Sequence, residues 1–223
     1  MTVLFCLGLI GVTLPSPGAA QDLAAYDYDE LSFRGMGIWG GGVWPNRVEQ
    51  TGIIGLRADF GYAGPGLRVI ATGGYWSSQM KQSEVDELSR RVEELVDEQA
   101  PPGTPPSSVD LGTIEWSDFL VGLDAHFVWA VPFDLLTYAG AGFSAHLTNG
   151  SGSSIDGTFV EDLIDSFAAG ANVHTGIEYL LSDRFRIFAE GRYEMQADLR
   201  YPELRGGFTV YFGDLAPGEE RGR

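Results

Sequence analysis

Three histidines and one serine carry the nucleophilic chemistry this sequence has to offer: His126, His146 and His174, with Ser144 two residues ahead of His146 in "GFSAHL". A serine hydrolase needs serine, histidine and an acid within hydrogen-bond reach of one another. On an extended strand residues 144 and 146 share a face, with Cβ atoms about 6.5–7 Å apart, and no acid is evidently placed beside them. Taking roughly 2.4 Å of axial rise per residue of a tilted strand, Ser144 and His146 sit high, near the loops. His126 then lies more than about 10 Å lower and His174 at intermediate height. The expectation is polar filling, with no catalytic residue assigned. The histidines lack the helical or loop spacing of metal ligands, so neither metal nor cofactor is expected. Cys6, the only cysteine, lies in the N-terminal apolar run, which leaves the rest of the chain without a thiol.

A second constellation is ionic. Arg57, Asp59, Arg68, Asp118, Asp124, Glu178, Arg186, Glu190, Arg192, Glu194 and Arg205 occupy polar rows interleaved with Gly55, Gly61, Gly74, Gly122, Gly140, Gly142, Gly176 and Gly207. A water-facing surface has no need of so much glycine and would favour lysine, yet of the 14 basic residues all but Lys81 are arginine. A tight interior does need small residues beside large charged ones, and it must pair arginine with carboxylate because an isolated buried charge is prohibitive. Arg57, Asp59, Arg68, Asp124, Glu178, Glu190, Arg192 and Arg205 are expected to point inward as an ion-pair network. The formal net charge of −17 excludes the basic patch that binding to nucleic acid requires.

The elements that must position these residues are strands. Apolar and polar residues alternate through eight segments, at about 32–44, 51–62, 66–77, 114–130, 135–147, 167–180, 184–195 and 203–213, the period-two pattern of a strand with two unlike faces. The apolar rows include Leu56, Phe60, Val69, Val121, Leu123, Phe143, Ile177, Ile187, Phe208 and Val210, with aromatics such as Tyr62, Tyr75, Phe127 and Tyr179 near segment ends. Connections alternate between short (AGPG, VPFD, LSDR) and longer ones (45–50, 78–113, 148–166, 196–202), so all tight turns fall at one end. The longest connection holds the one convincing helix, "SEVDELSRRVEELVDEQ". Its capping-box-like start uses Ser83 as N-cap and Asp86 at N3, and Val85, Leu88, Val92 and Leu95-Val96 form a stripe that is expected to pack on the rim of its own barrel.

The first 20 residues are an apolar run followed by "PSPGAA", read as a signal peptide cleaved before Gln21. The expected organisation is 1–20 signal peptide, 21–30 N-terminal periplasmic segment, 31–213 barrel and 214–223 C-terminal periplasmic tail.

Alternation alone has no inside or outside. The paired, glycine-rich polar rows, the end-placed aromatics and segments of bilayer-crossing length place lipid on the apolar rows. The fold class expected is all-β, an eight-stranded antiparallel up-and-down transmembrane β-barrel with one short helix in a long extracellular loop. The stretches "YAGAGFSAHL" (138–147), "AGANVHTGIEYLLSDRFRIFAEGRYE" (169–194) and "LRGGFTVYFG" (204–213) resemble the small eight-stranded outer-membrane barrels of the OmpA/OmpX type. The resemblance implies residence in the cell outer membrane, contact with its lipids, and a lumen too narrow for a general pore. It also implies insertion by the barrel-assembly machinery, with Phe212 at the aromatic end of the closing strand as the assembly signal. The expected role is structural or surface-interacting and non-catalytic, for a monomer, with loops 78–113 and 148–166 as the place for an extracellular partner. A narrow channel, a lipid A-modifying barrel enzyme and a soluble lipocalin-like carrier stand as alternatives.

Overall fold

The computed structural model describes residues 31–212, apart from 102–104, 106–107, 133–134, 155–156, 158–165, 183 and 198. The expected signal peptide, N-terminal periplasmic segment 21–30 and C-terminal periplasmic tail lie outside the described residues. Eight strands follow in order: β1 Gly35–Val43, β2 Thr51–Gly64, β3 Leu67–Gln79, β4 Glu115–Val131, β5 Leu135–Ser151, β6 Ser166–Ser182, β7 Phe185–Gln196 and β8 Arg200–Tyr211. Each pairs antiparallel with the next, and β1 pairs with β8 from Gly35↔Tyr211 to Val43↔Glu203, closing the barrel. The one helix, α1, spans Gln82–Gln99 in the connection between β3 and β4. Closure leaves no strand edge unpaired, as a bilayer interior with no water to satisfy backbone groups demands.

The side chains settle inside from outside. Phe143 is 78 % exposed, and Ile54, Leu56, Val121, Leu123, Phe127, Val173, Ile177, Ile187 and Phe208 are exposed with it, while Arg57, Asp59, Arg68, Asp124, Glu178 and Arg192 are buried. This is the reverse of a water-soluble barrel, where burying charge and exposing a continuous apolar belt would both be unfavourable. Lipid covers the belt, and β4, β5 and β6, at 17 residues each, are long enough to cross a bilayer at a tilt and continue beyond it. Phe60, Val69 and Val210 share the outward parity but are only half-exposed.

Three details differ from the sequence expectation. Tyr62 points inward and is buried. A β-bulge between Asp59 and Tyr62, with Gly61 at φ 73° and its N–H held by Asp59 Oδ1 at 2.7 Å, adds a residue and reverses the parity beyond it. Tyr75, Phe127 and Tyr179 stay outside. The last long connection contracts to 197–199, because β8 begins at Arg200. Helix α1 starts two residues earlier than its capping signal implies, with Lys81 rather than Ser83 as N-cap and no side-chain cap. The bridge Val48↔Met80 and the Lys81 N–H bond to Arg47 O at 3.0 Å hold the chain extended through Lys81, which leaves Ser83 inside the first turn. The Lys81 ammonium fastens this junction by donating to the carbonyls of Pro45 and Asn46 at 3.0 and 2.9 Å.

Val85 and Val92 of α1 are buried with Leu111 and Ile114, and Leu88, Met80 and Trp116 pack against them. The stripe thus docks on its own return segment and the barrel rim, while Leu95 and Val96 are exposed.

Glycines on the inward rows serve as sockets. A Cβ at Gly55 would overlap the Trp39 indole, one at Gly176 the Tyr138 phenol, and one at Gly140 the His174 ring. Gly55→Val is expected to lower barrel stability by about 1–3 kcal/mol through overpacking. Urea unfolding in lipid vesicles, followed by tryptophan fluorescence, measures this, and an unchanged midpoint would remove Trp39 from that socket.

Candidate functional site: the charged lumen

Inward parity on β2, β3, β6 and β7 brings four charged side chains together near the short-turn end. Glu178 is the hub. It accepts from both terminal nitrogens of Arg68 at 2.8 and 2.6 Å and from Arg57 at 3.0 Å, with Arg186 at 3.8 Å. Asp59 lies 3.7 Å from Arg68 and accepts from the Tyr211 hydroxyl at 2.7 Å. Aromatic faces complete the cradle, with Arg57 4.2 Å above the Phe188 ring and Arg186 4.2 Å above Tyr211, a geometry that favours guanidinium over ammonium.

A second cluster occupies the middle. Arg192 bonds Asp124, reaches Glu190 at 3.2 Å and faces Glu194 at 3.7 Å. Arg205 bonds Glu190 at 2.6 Å, with Asp124 at 4.0 Å and Glu203 at 3.6 Å. The Tyr138 hydroxyl donates to Glu190 at 2.8 Å and its ring stacks on His126 at 4.4 Å. Arg68 in turn meets His126 Nδ1 at 3.4 Å, so the two clusters are joined. All eight residues assigned to the network from sequence are buried and ion-paired in it, together with Arg186, Glu194 and Glu203. Glu203 escaped the sequence reading, although it shares the inward parity of Arg205. His126 and His174 both stand opposite Gly140 in the sheet register, with rings 4.6 Å apart. They are therefore neighbours across β5.

The third cluster corrects the reading of Ser144 and His146. Asp118, paired with Thr148 in the register of β4 and β5, sits diagonally across from His146 and accepts from its Nδ1 at 2.9 Å. His146 Nε2 lies 2.9 Å from Ser144 Oγ, so Asp118, His146 and Ser144 stand in the order of a catalytic triad. Ser144 Oγ also bonds Glu194, and His146 Nε2 faces the same carboxylate at 3.5 Å. Asp118 and His146 are also fully buried. The cluster links β4, β5 and β7, with the Gln196 amide nitrogen 2.9 Å from Nδ1.

Apolar residues of inward parity cluster toward both ends, which the sequence reading did not expect. Trp39, Val43, Val48, Ile53, Trp76, Leu120, Phe188, Leu199 and Tyr201 form a cluster toward the long-loop mouth. Tyr62, Val128, Leu136 and Tyr138 form another toward the short turns. Among the described residues no group of three or more metal-ligating side chains has the geometry of a metal site. Phe212 is half-exposed at the short-turn end, stacked on Phe33 with centroids 5.9 Å apart, and its N–H bonds Arg34 O at 2.7 Å.

No protein-family model matches this chain, and no curated protein matches it in sequence. Solved structures similar to it include Neisserial surface protein A at 16 % identity and TM-score 0.49, the N-terminal β-barrel domain of Pseudomonas aeruginosa OprF at 13 % and 0.49, and the attachment invasion locus protein Ail of Yersinia pestis at 12 % and 0.45. Each similarity covers 82 % of this chain and 100 % of the other. The architecture itself stands on the strand pairing: an even number of antiparallel strands, short turns at one end, longer loops at the other, an apolar exterior and a polar interior are the marks of outer-membrane-type barrels.

Glu178→Gln leaves three buried guanidinium groups short of their shared carboxylate. Breaking a buried ion pair from one side costs about 3–5 kcal/mol, so this variant is expected to unfold at markedly lower urea than the parent in lipid vesicles. A midpoint within experimental error of the parent would mean that Glu178 is not the hub of the network.

Proposed function

We propose that this protein is an outer-membrane β-barrel whose lumen is a closed, non-catalytic structural core and whose long-loop mouth is the working surface. The observation that carries this reading is the manner in which the interior is filled. Buried charges are matched to one another, glycine sockets take the large side chains, and apolar clusters lie above and below the ion pairs. Such a core fixes the shape of the barrel and offers a solute neither a water-filled path nor an exposed nucleophile. The mouth, by contrast, carries a helix packed in place by Val85 and Val92 and fastened to the barrel by Lys81. A rigid element held clear of the lipid belt is suited to contact with an extracellular partner, through residues 78–113 and 148–166.

The belt residues Leu56, Val121, Leu123, Phe143, Ile177, Ile187 and Phe208 meet lipid in this reading, and the barrel acts as a monomer. In this reading Phe212, stacked on Phe33 at the seam of β1 and β8, is the residue that the barrel-assembly machinery reads. The short turns face the periplasm and α1 faces outward.

Fractionation of the cell envelope tests the placement. The protein is expected in the outer membrane, migrating differently on an SDS gel when unboiled because the closed barrel resists the detergent. Planar-bilayer recordings test the closed lumen, and no stable unitary conductance is expected. Soluble periplasmic protein without a mobility change would overturn the membrane reading, and reproducible unitary currents would replace the structural core with a narrow channel.

A further inference from the structure

The interaction surface has a site of its own. A groove of about 380 Å³ lies between α1 and the barrel rim, above the ion-paired rows of the lumen and touching them only through Gln196. Its apolar lining includes Met80, Leu88, Trp116 and Leu199, and its charged lining is Arg47, Arg91, Glu84 and Glu87. Arg47 belongs to the β1–β2 connection and Glu84 to α1. Their contact, Nε to Oε2 at 3.4 Å with both side chains about one-third exposed, therefore spans the groove from barrel to helix. Arg91 bonds Glu87 along the helix, and the guanidinium holds the Glu87 carboxyl below the usual carboxylate range.

One donor in this lining has no partner. The Trp116 indole nitrogen is buried and makes no hydrogen bond, whereas a buried tryptophan N–H normally finds an acceptor. The groove thus combines an apolar lining, an orphaned donor and two charges of each sign, in a volume at the small end of the range for ligand pockets. That volume is too small for a folded partner or a whole lipid. The balance of charge selects the ligand further. An anionic head would face Glu84 and Glu87, and a cationic head would face Arg47 and Arg91. A zwitterion exchanges the internal pairs for two external ones without bringing in net charge.

We propose that the groove binds a small zwitterion with an apolar side chain, of the chemistry of an apolar α-amino acid. Its carboxylate accepts from Trp116 Nε1 and the Arg47 guanidinium, its ammonium pairs with Glu84 and Glu87, and its side chain lies against Met80, Leu88 and Leu199. This rests on the reading of the mouth as the working surface and names what that surface takes.

The test uses the full chain purified in detergent micelles and titrated calorimetrically with L-phenylalanine, 3-phenylpropionate and 2-phenylethylamine. Saturable binding of phenylalanine is expected at millimolar concentration or below, with each analogue weaker by about tenfold or more, since each lacks one charge-assisted contact. Arg47→Ala and Trp116→Phe are each expected to weaken phenylalanine by a similar factor, and Leu95→Ser, on the exposed side of α1, to leave it unchanged. The proposal is overturned if phenylalanine shows no saturable heat, if phenylpropionate binds as tightly, or if Arg47→Ala has no effect. Any of these results in protein that still shows the unboiled mobility shift removes the ligand and leaves the surface reading standing. Loss of the shift and of outer-membrane residence in the parent removes both.

Discussion

The structure depends on the pairing of charge where water is scarce. Five arginines, Arg57, Arg68, Arg186, Arg192 and Arg205, and seven carboxylates, Asp59, Asp118, Asp124, Glu178, Glu190, Glu194 and Glu203, are buried inside one barrel. Any one of them alone would be prohibitive there. Their arrangement makes each strand answerable to others far away in sequence. Glu178 on β6 fixes the facing of Arg57 on β2, Arg68 on β3 and Arg186 on β7, and Glu190 ties β7 to β8 through Arg205 and to β5 through Tyr138. A slip of one residue in any strand would turn its charged row toward lipid, so register and charge pairing enforce each other.

The outside needs less specification. Lipid accepts any apolar side chain of suitable depth, and the exterior rows are correspondingly varied: leucine, valine, isoleucine, phenylalanine and alanine without evident order. The short-turn end holds an apolar cluster of Tyr62, Val128, Leu136 and Tyr138. The mouth holds a tryptophan-rich cluster that also supports α1, since Trp116 packs against both. The helix is thereby continuous with the interior of the barrel.

The eight strands, their faces and the helix were legible because each is a local pattern. Period two across "FLVGLDAHF" and a spaced apolar stripe across "SEVDELSRRVEEL" declare themselves within a dozen residues. The ionic rows were legible for a related reason, since arginine alternating with glycine has no rationale on a wetted face. What was not legible depends on register. Asp118 meets His146 only because Asp118 pairs with Thr148, a relation that neither segment contains by itself. Tyr62 turned inward because Gly61, the residue before it, adopts a left-handed conformation within a bulge that no neighbouring residue announces. The apolar ends of the lumen were hidden because Trp39, Ile53, Leu120 and Phe188 break the polar rows with residues that suit either face. The start of α1 was set by a tertiary bridge, Val48↔Met80, which outweighed a serviceable capping sequence.

The socketed glycines bear on how such a lumen can change over generations. Space at each interior level is a sum over facing strands, and the fold constrains the sum more tightly than its terms. Trp39 with Gly55 and Gly74, or Tyr138 with Gly176, are single solutions to a volume shared among neighbours, and a large residue can pass from one strand to the next provided a small one passes back. Drift inside the barrel should therefore proceed by compensated exchanges between positions that face each other. Covariation would preserve the architecture of the lumen even where no single interior residue is retained.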